Sequence, residues 1–160
     1  MSARRLCRWL LVALVGLCAA GCINDDEPEL ASLVAVGDRL PDFSVVMSDG
    51  TTLTTDMLRG RESMIVFFTT TCADCRRELP RINAYALAHP EVRVVCIARS
   101  QAEADIAAFW AAEGLTLPYS PQPDARVYNL FATAGVPRIY CADASLRVTA
   151  EYVEEFPLWK

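Results

Sequence analysis

The chain is poor in the residues that build metal sites and nucleic-acid surfaces. Among 160 residues it has a single histidine, His89, and Cys72-Ala73-Asp74-Cys75 is its one Cys-x-x-Cys. A structural zinc needs four ligands, usually a second Cys-x-x-Cys or a Cys/His pair, and no such set is available. Basic residues are also short, with 15 Lys+Arg against 20 Asp+Glu and a formal net charge of −5 at pH 7. No basic face can be assembled from them, which argues against a nucleic-acid partner. Internal repeats are absent. The apolar stretch Trp9 to Ala20 is too short for a comfortable membrane span.

That stretch follows Arg4, Arg5 and Arg8, and together they read as a targeting segment. It ends in Ala19-Ala20-Gly21-Cys22. Small residues directly before a cysteine resemble the lipobox of bacterial lipoproteins, with Ala19 standing where leucine is commoner. The resemblance implies cleavage before Cys22 and lipidation of that cysteine; a plain secretory signal peptide is the alternative. The expected organisation is a signal peptide over 1–21, a lipidated tether over 22–35 and one domain over 36–160. Cleavage removes three of the 15 basic residues and no acidic one, taking the net charge from −5 to −8. Asn24-Asp25-Asp26-Glu27-Pro28-Glu29 is acidic and proline-interrupted, so the tether should stay solvated. An acidic stretch after the lipid-bearing cysteine also resembles surface-export signals of some Gram-negative lipoproteins.

Processing changes the cysteine arithmetic. Seven cysteines lose Cys7 and Cys18 with the signal, and Cys22 to lipid. Cys72, Cys75, Cys96 and Cys141 remain. Cys72 and Cys75 come just after the apolar run Met64-Ile65-Val66-Phe67-Phe68 and just before Arg76-Arg77-Glu78-Leu79. A buried strand should therefore deliver Cys72 to a helix start, where unpaired backbone N–H groups and the helix dipole stabilise a thiolate. A Cys-x-x-Cys in that setting reads as a reversible dithiol/disulfide. Two thiolates could also hold Cu(I).

About 125 residues follow the tether, enough for one domain with a real core. Phe43–Val46 and Thr51–Leu53 flank Ser48-Asp49-Gly50 and predict a hairpin. Thr55 is a candidate cap for a short helical turn through Leu58. Met64–Phe68 and Val92–Ala98 read as buried strands on either side of a helix, hence parallel. In that helix Leu79, Ile82 and Ala86 form the buried stripe and Pro80 should kink it. Glu103–Glu113 is a second helix, with Ile106, Phe109 and Trp110 inward. Asp124 is placed to cap a third through Thr133. Arg138–Cys141 and Leu146–Tyr152 read as the last two strands.

This order resembles the thioredoxin-like superfamily, and within it the membrane-tethered TlpA/ResA-type thiol–disulfide oxidoreductases. Three markers carry the likeness: Gly37-Asp38 with Pro41-Asp42-Phe43, the strand before Cys72-Ala73-Asp74-Cys75, and Gly135-Val136-Pro137 before a strand. The resemblance implies an α/β, three-layer fold: a central mixed sheet flanked by helices, with an N-terminal β-hairpin. It implies a thiol–disulfide oxidoreductase with no cofactor. Cys72 would be the attacking thiolate and Cys75 the resolving thiol of a redox-active disulfide. Val136–Pro137 would be cis, presenting Val136 backbone groups to an extended substrate. Glu78, three residues after Cys75, matches a glutamate of ResA-like reductases and would pass a proton to or from the dithiol; a solvated pair with Arg81 is its plainer reading. Implied partners are disulfide-bearing envelope proteins, apocytochrome c among the candidates, and a membrane thiol–disulfide electron donor.

Two departures matter. Asp74 stands where proline is commonest, and a carboxylate there opposes a Cys72 thiolate, which favours a reducing couple. Thr71 stands where tryptophan is usual, removing an aromatic wall. Cys96 and Cys141 invite pairing as a second disulfide. Their strands should flank the central one, about 9–10 Å apart, whereas a disulfide needs Cα atoms within about 7 Å. Both are expected as buried, inert thiols.

Two other chemistries compete. Thr69-Thr70-Thr71-Cys72 contains the Thr-x-x-Cys of peroxiredoxins, but Ile65 stands where their proline belongs. A Cu(I) metallochaperone of the SCO type would use Cys-x-x-x-Cys and a distal histidine; His89 falls in an Ala88-His89-Pro90 turn instead.

Overall fold

The computed structural model describes residues 32–157. The signal, Cys22, the tether up to residue 31, and Trp159 lie outside the described residues. Two sheets form. The hairpin pairs β1 (Ser44–Val46) antiparallel with β2 (Thr52–Thr54). The main sheet holds β3 (Ser63–Phe68), β4 (Arg93–Ala98), β5 (Tyr119–Ser120), β6 (Arg138–Ala142) and β7 (Val148–Val153), in the spatial order β5-β4-β3-β6-β7. β4 runs parallel to β3, and β5 to β4; β6 is antiparallel to β3, and β7 to β6. This is the mixed sheet of the thioredoxin-like fold.

β3 is the centre because every residue in it is buried. Its alternation divides the core. Ile65 and Phe67 face the hairpin, Leu58, Tyr128 and Phe131, while Met64, Val66 and Phe68 face both α-helices. Those helices are α1 (Ala73–Ala88) and α2 (Glu103–Glu113). α1 buries Leu79 and Ile82, and α2 buries Ile106, Phe109 and Trp110. Gly114 ends α2 with φ +62°, the left-handed cap that glycine adopts without a Cβ penalty. α1 continues through Pro80 as one helix.

Four expectations fail. The helix over Asp124–Thr133 shrinks to a 3-10 turn at Tyr128–Leu130. Asp124 folds onto the N–H of Arg126 at 2.9 Å, a local turn rather than a helix cap. Tyr128 is drawn into the core against Phe67, ring centroids 5.4 Å apart, with its hydroxyl donating to the Gly135 carbonyl. Thr55 does not cap the 3-10 turn Thr55–Leu58; its Oγ1 accepts from Phe43 N–H and donates to the Pro41 carbonyl, each at 2.8 Å. Cys141 is only half-buried, unlike Cys96. β5 has no counterpart in the sequence reading, since two residues carry no period.

The chain after β7 forms a strap. Glu154 turns it with φ +68°, and Phe156 is buried against Tyr85 and Tyr152, with centroids at 5.5 and 5.2 Å. The strap thereby lays apolar cover over this end of the sheet.

Candidate active site

Cys72 stands at the N-cap of α1, in extended conformation, just beyond the end of β3. The sheet-to-helix turn leaves its sulfur half-exposed while Cys75, one turn in, is wholly buried. Cys72 Sγ accepts from the Cys75 N–H at 3.5 Å and donates to the Val136 carbonyl at 3.2 Å. The Val136–Pro137 peptide is cis. The sequence therefore names two segments, 64 residues apart from Cys72 to Val136, that the fold brings into hydrogen-bond contact. Both cysteines are free thiols here.

Burial pushes the Cys75 thiol well above the ordinary range, and the nearby Cys72 and Asp74 add to it; a hydrogen bond from the Thr69 backbone works against them. A thiol in that position keeps its proton until something removes it. Cys96 is raised by burial alone, and burial with the Glu62 charge takes Cys141 up to about 11.

Glu78 is completely buried, contrary to the solvated reading. The expected Arg81 contact is present, Nη1 to Oε1 at 3.0 Å, and Arg77 Nε joins the same oxygen at 3.0 Å. Oε2 accepts from the strap N–H of Phe156 at 3.4 Å. Asp74 is bound by Arg77 Nη1 at 2.5 Å, while Arg76 turns the other way, over the Phe109 ring at 5.3 Å.

Thr71 is exposed, and Thr70 is clamped by Gln101 through both its N–H and its hydroxyl. Thr70, Thr71, Arg76, Gln101 and Phe109 line an open groove beside the dithiol. The Thr69 hydroxyl contacts the Thr71 hydroxyl at 3.3 Å. His89 lies at the far end of α1, stacked on Tyr85 at 4.3 Å and paired with Glu91. A helix of 16 residues puts it about 24 Å from Cys72. No group of three or more His, Cys, Asp or Glu able to hold a metal occurs among the described residues.

Sequence reasoning missed two cations. Arg138, directly after Pro137, is fully buried, pairs with Glu151 and donates to the Ala134 carbonyl at 2.9 Å. An arginine inside an otherwise apolar strand was the available signal. Arg77 gave no such signal, because its partners lie partly on the distant strap.

A free dithiol at a helix start, facing a cis proline on a mixed sheet, defines a thiol–disulfide oxidoreductase of the thioredoxin superfamily. The chain belongs to the Redoxin family, whose model matches residues 35–157. It is 25% identical over 122 residues to the thiol-disulfide oxidoreductases ResA of Bacillus thuringiensis and Bacillus anthracis, covering 75% of this chain and 70% of each relative. Its fold is similar to that of a candidate protein disulfide isomerase from Bacteroides thetaiotaomicron, with TM-score 0.74, 27% identity, and 78% and 82% of the two chains covered. It also resembles a secreted Mycobacterium tuberculosis disulfide oxidoreductase homologous to DsbE, with TM-score 0.64, 20% identity and coverage of 69% and 82%.

Proposed function

We propose that this is an extracytoplasmic thiol–disulfide oxidoreductase, tethered to the cell envelope by lipid on Cys22 and working as a reductase through Cys72 and Cys75. The observation that carries the reading is the contact of Cys72 Sγ with the Val136 carbonyl beside the cis Pro137. It puts the exposed sulfur against the backbone that an incoming client strand would pair with. The secreted relative supports an extracytoplasmic setting, as do the N-terminal basic and apolar stretches.

In the proposed cycle the Cys72 thiolate attacks one sulfur of a client disulfide. A Cys72–client mixed disulfide forms, and the second client sulfur leaves as a thiolate and takes up a proton. Cys75 then loses its proton and attacks Cys72 Sγ. The Cys72–Cys75 disulfide closes, and the first client sulfur leaves and is protonated. The client gains two electrons and two protons; a membrane thiol–disulfide donor returns two electrons to the protein. Burial of Cys75 makes its deprotonation the demanding step. Glu78 is assigned the proton transfer at that step, through Oε2, from inside its cluster with Arg77 and Arg81. Val136 and Pro137 are assigned client binding through the main chain, so recognition is largely blind to client sequence. The clients are disulfide-bearing envelope proteins, apocytochrome c being a candidate.

The test is trapping. Cys75→Ser should leave a stable mixed disulfide on Cys72, identified by mass spectrometry of what elutes on reduction. A wild-type protein that neither reduces nor oxidises a peptide disulfide, together with an empty trap, would falsify the enzyme reading.

A further inference from the structure

The strap meets the active-site helix at one side chain. Arg77 has three acceptors on two parts of the molecule: Asp74 Oδ1 at 2.5 Å and Glu78 Oε1 at 3.0 Å on α1, and the Glu154 carbonyl at 3.3 Å on the strap. Asp74 lies between the two cysteines. Glu78 is fully buried and shares its oxygen with Arg81. Glu154 belongs to the strap, and its own N–H donates to the Pro137 carbonyl at 2.9 Å. One guanidinium thus ties the inter-cysteine residue to the strap, and the strap ties back to the proline loop across the dithiol. A planar fork with five donors suits this three-way junction; the single nitrogen of lysine does not.

Charge gives the junction a chemical consequence. Asp74 and Glu78 are balanced by Arg77 and Arg81. Arg81 reaches Glu78, and Arg76 is turned onto Phe109, so Asp74 meets its cation in Arg77. Asp74 lies in the first turn of α1, two residues after Cys72, and its charge adds slightly to the burial that pushes the Cys75 thiol up. A carboxylate in the first turn of that helix opposes a thiolate on the N-cap Cys72.

We propose that Arg77 is a positioning residue for the dithiol: held by the strap carbonyl and Glu78, it cancels the Asp74 charge that would otherwise oppose the Cys72 thiolate. The proposal deepens the dithiol reading above and rests on it. Arg77 is half-exposed, and exposed ion pairs add little to folding stability. Its effect therefore belongs to the reactivity of Cys72 rather than to the fold.

The experiment compares four reduced proteins, wild type, R77Q, D74N and R77Q/D74N, each checked for native circular dichroism. The readout is the rate at which iodoacetamide labels Cys72 at pH 7, resolved by peptide mass. R77Q should label about threefold more slowly, because the lost thiolate is only partly offset by the greater nucleophilicity of a more basic sulfur. D74N should label faster. R77Q/D74N should return to the wild-type rate, since charge balance is restored although the fork is gone. A misplaced helix start would not be rescued by D74N. In glutathione buffers the protein disulfide and two glutathione thiols exchange with the protein dithiol and glutathione disulfide. R77Q should there show a smaller reduced fraction than wild type at the same buffer ratio. The proposal is overturned if R77Q labels like wild type, or if the double variant stays as slow as R77Q. Failure of any Cys72–Cys75 disulfide to form in glutathione would instead sink the dithiol reading, and the labelling comparison would still stand on its own.

Discussion

Two pairs of cysteines share this domain and live in different chemistry. Cys72 and Cys75 sit where β3 ends and α1 begins, among backbone donors, a carbonyl and a cluster of ion pairs. Cys96 and Cys141 sit inside the sheet, opposite Val66 and Met64 on the two strands that flank β3. The first pair lies at the rim of the core, Cys75 buried in it and the Cys72 sulfur reaching solvent. The second is packed among apolar side chains, with β3 lying between its members. The same side chain stands at a helix start or packs as a small hydrophobe according to where the sheet puts it.

The largest expected effect tests that division directly. Cys72→Ser should reduce turnover of a peptide disulfide to the uncatalysed rate, while Cys96→Ala and Cys141→Ala stay within about twofold of wild type. A Cys96→Ala protein as inactive as Cys72→Ser would erase the distinction. Labelling of the reduced native protein sharpens it. With its thiol raised from 9.0 to about 11, Cys141 holds about a hundredfold less thiolate than an ordinary cysteine near neutral pH. Peptide mapping after brief iodoacetamide exposure should find Cys72 modified first and Cys75, Cys96 and Cys141 protected.

Stability offers a smaller contrast between the charged and apolar regions. Glu78→Ala strips a buried acceptor from Arg77, Arg81 and the Phe156 N–H. It should cost about 2 kcal/mol in urea unfolding. Cys96→Ala removes one packed sulfur and should cost about 1 kcal/mol. The reverse order would mean that the sheet interior, not the charge cluster, holds this end of α1. The smallest effect is alkaline. Burial raises Cys141 in the folded state, so its protonated form is favoured there. That contribution to stability is complete below about pH 9 and is lost as pH rises towards about 11. Cys141→Ala should flatten that part of the pH–stability curve; an unchanged slope would assign it to other groups.

Legibility followed range. The apolar run Met64–Phe68, the Cys72–Cys75 spacing and the inward positions of α2 were readable because each is a local pattern. The parallel pairing of β3 and β4 followed from the helix between them, and the separation of Cys96 from Cys141 from the strand order. The supposed helix at Asp124–Thr133 was misread because Tyr128 and Phe131 answer to Phe67 across the core, 5.4 and 4.9 Å between centroids. The burial of Glu78 was also hidden. Its helix position is compatible with solvent until the strap covers it with Phe156.

By itself, the sequence determined the chemistry on offer: one close dithiol at a strand-to-helix junction, too few basic residues for a nucleic-acid face and too few histidines for a structural zinc site, and a Val-Pro ahead of a strand. These are properties of neighbouring residues and of composition, where hydrogen bonding and helix polarity act within a turn or two. Tertiary structure decided which groups meet the dithiol. The Val136 carbonyl, the Glu154 carbonyl and the Phe156 N–H reach α1 from 64, 77 and 78 residues away along the chain. No local pattern encodes such contacts, because they exist only once the sheet order has set β6 beside β3 and turned the chain after β7 back over the helix.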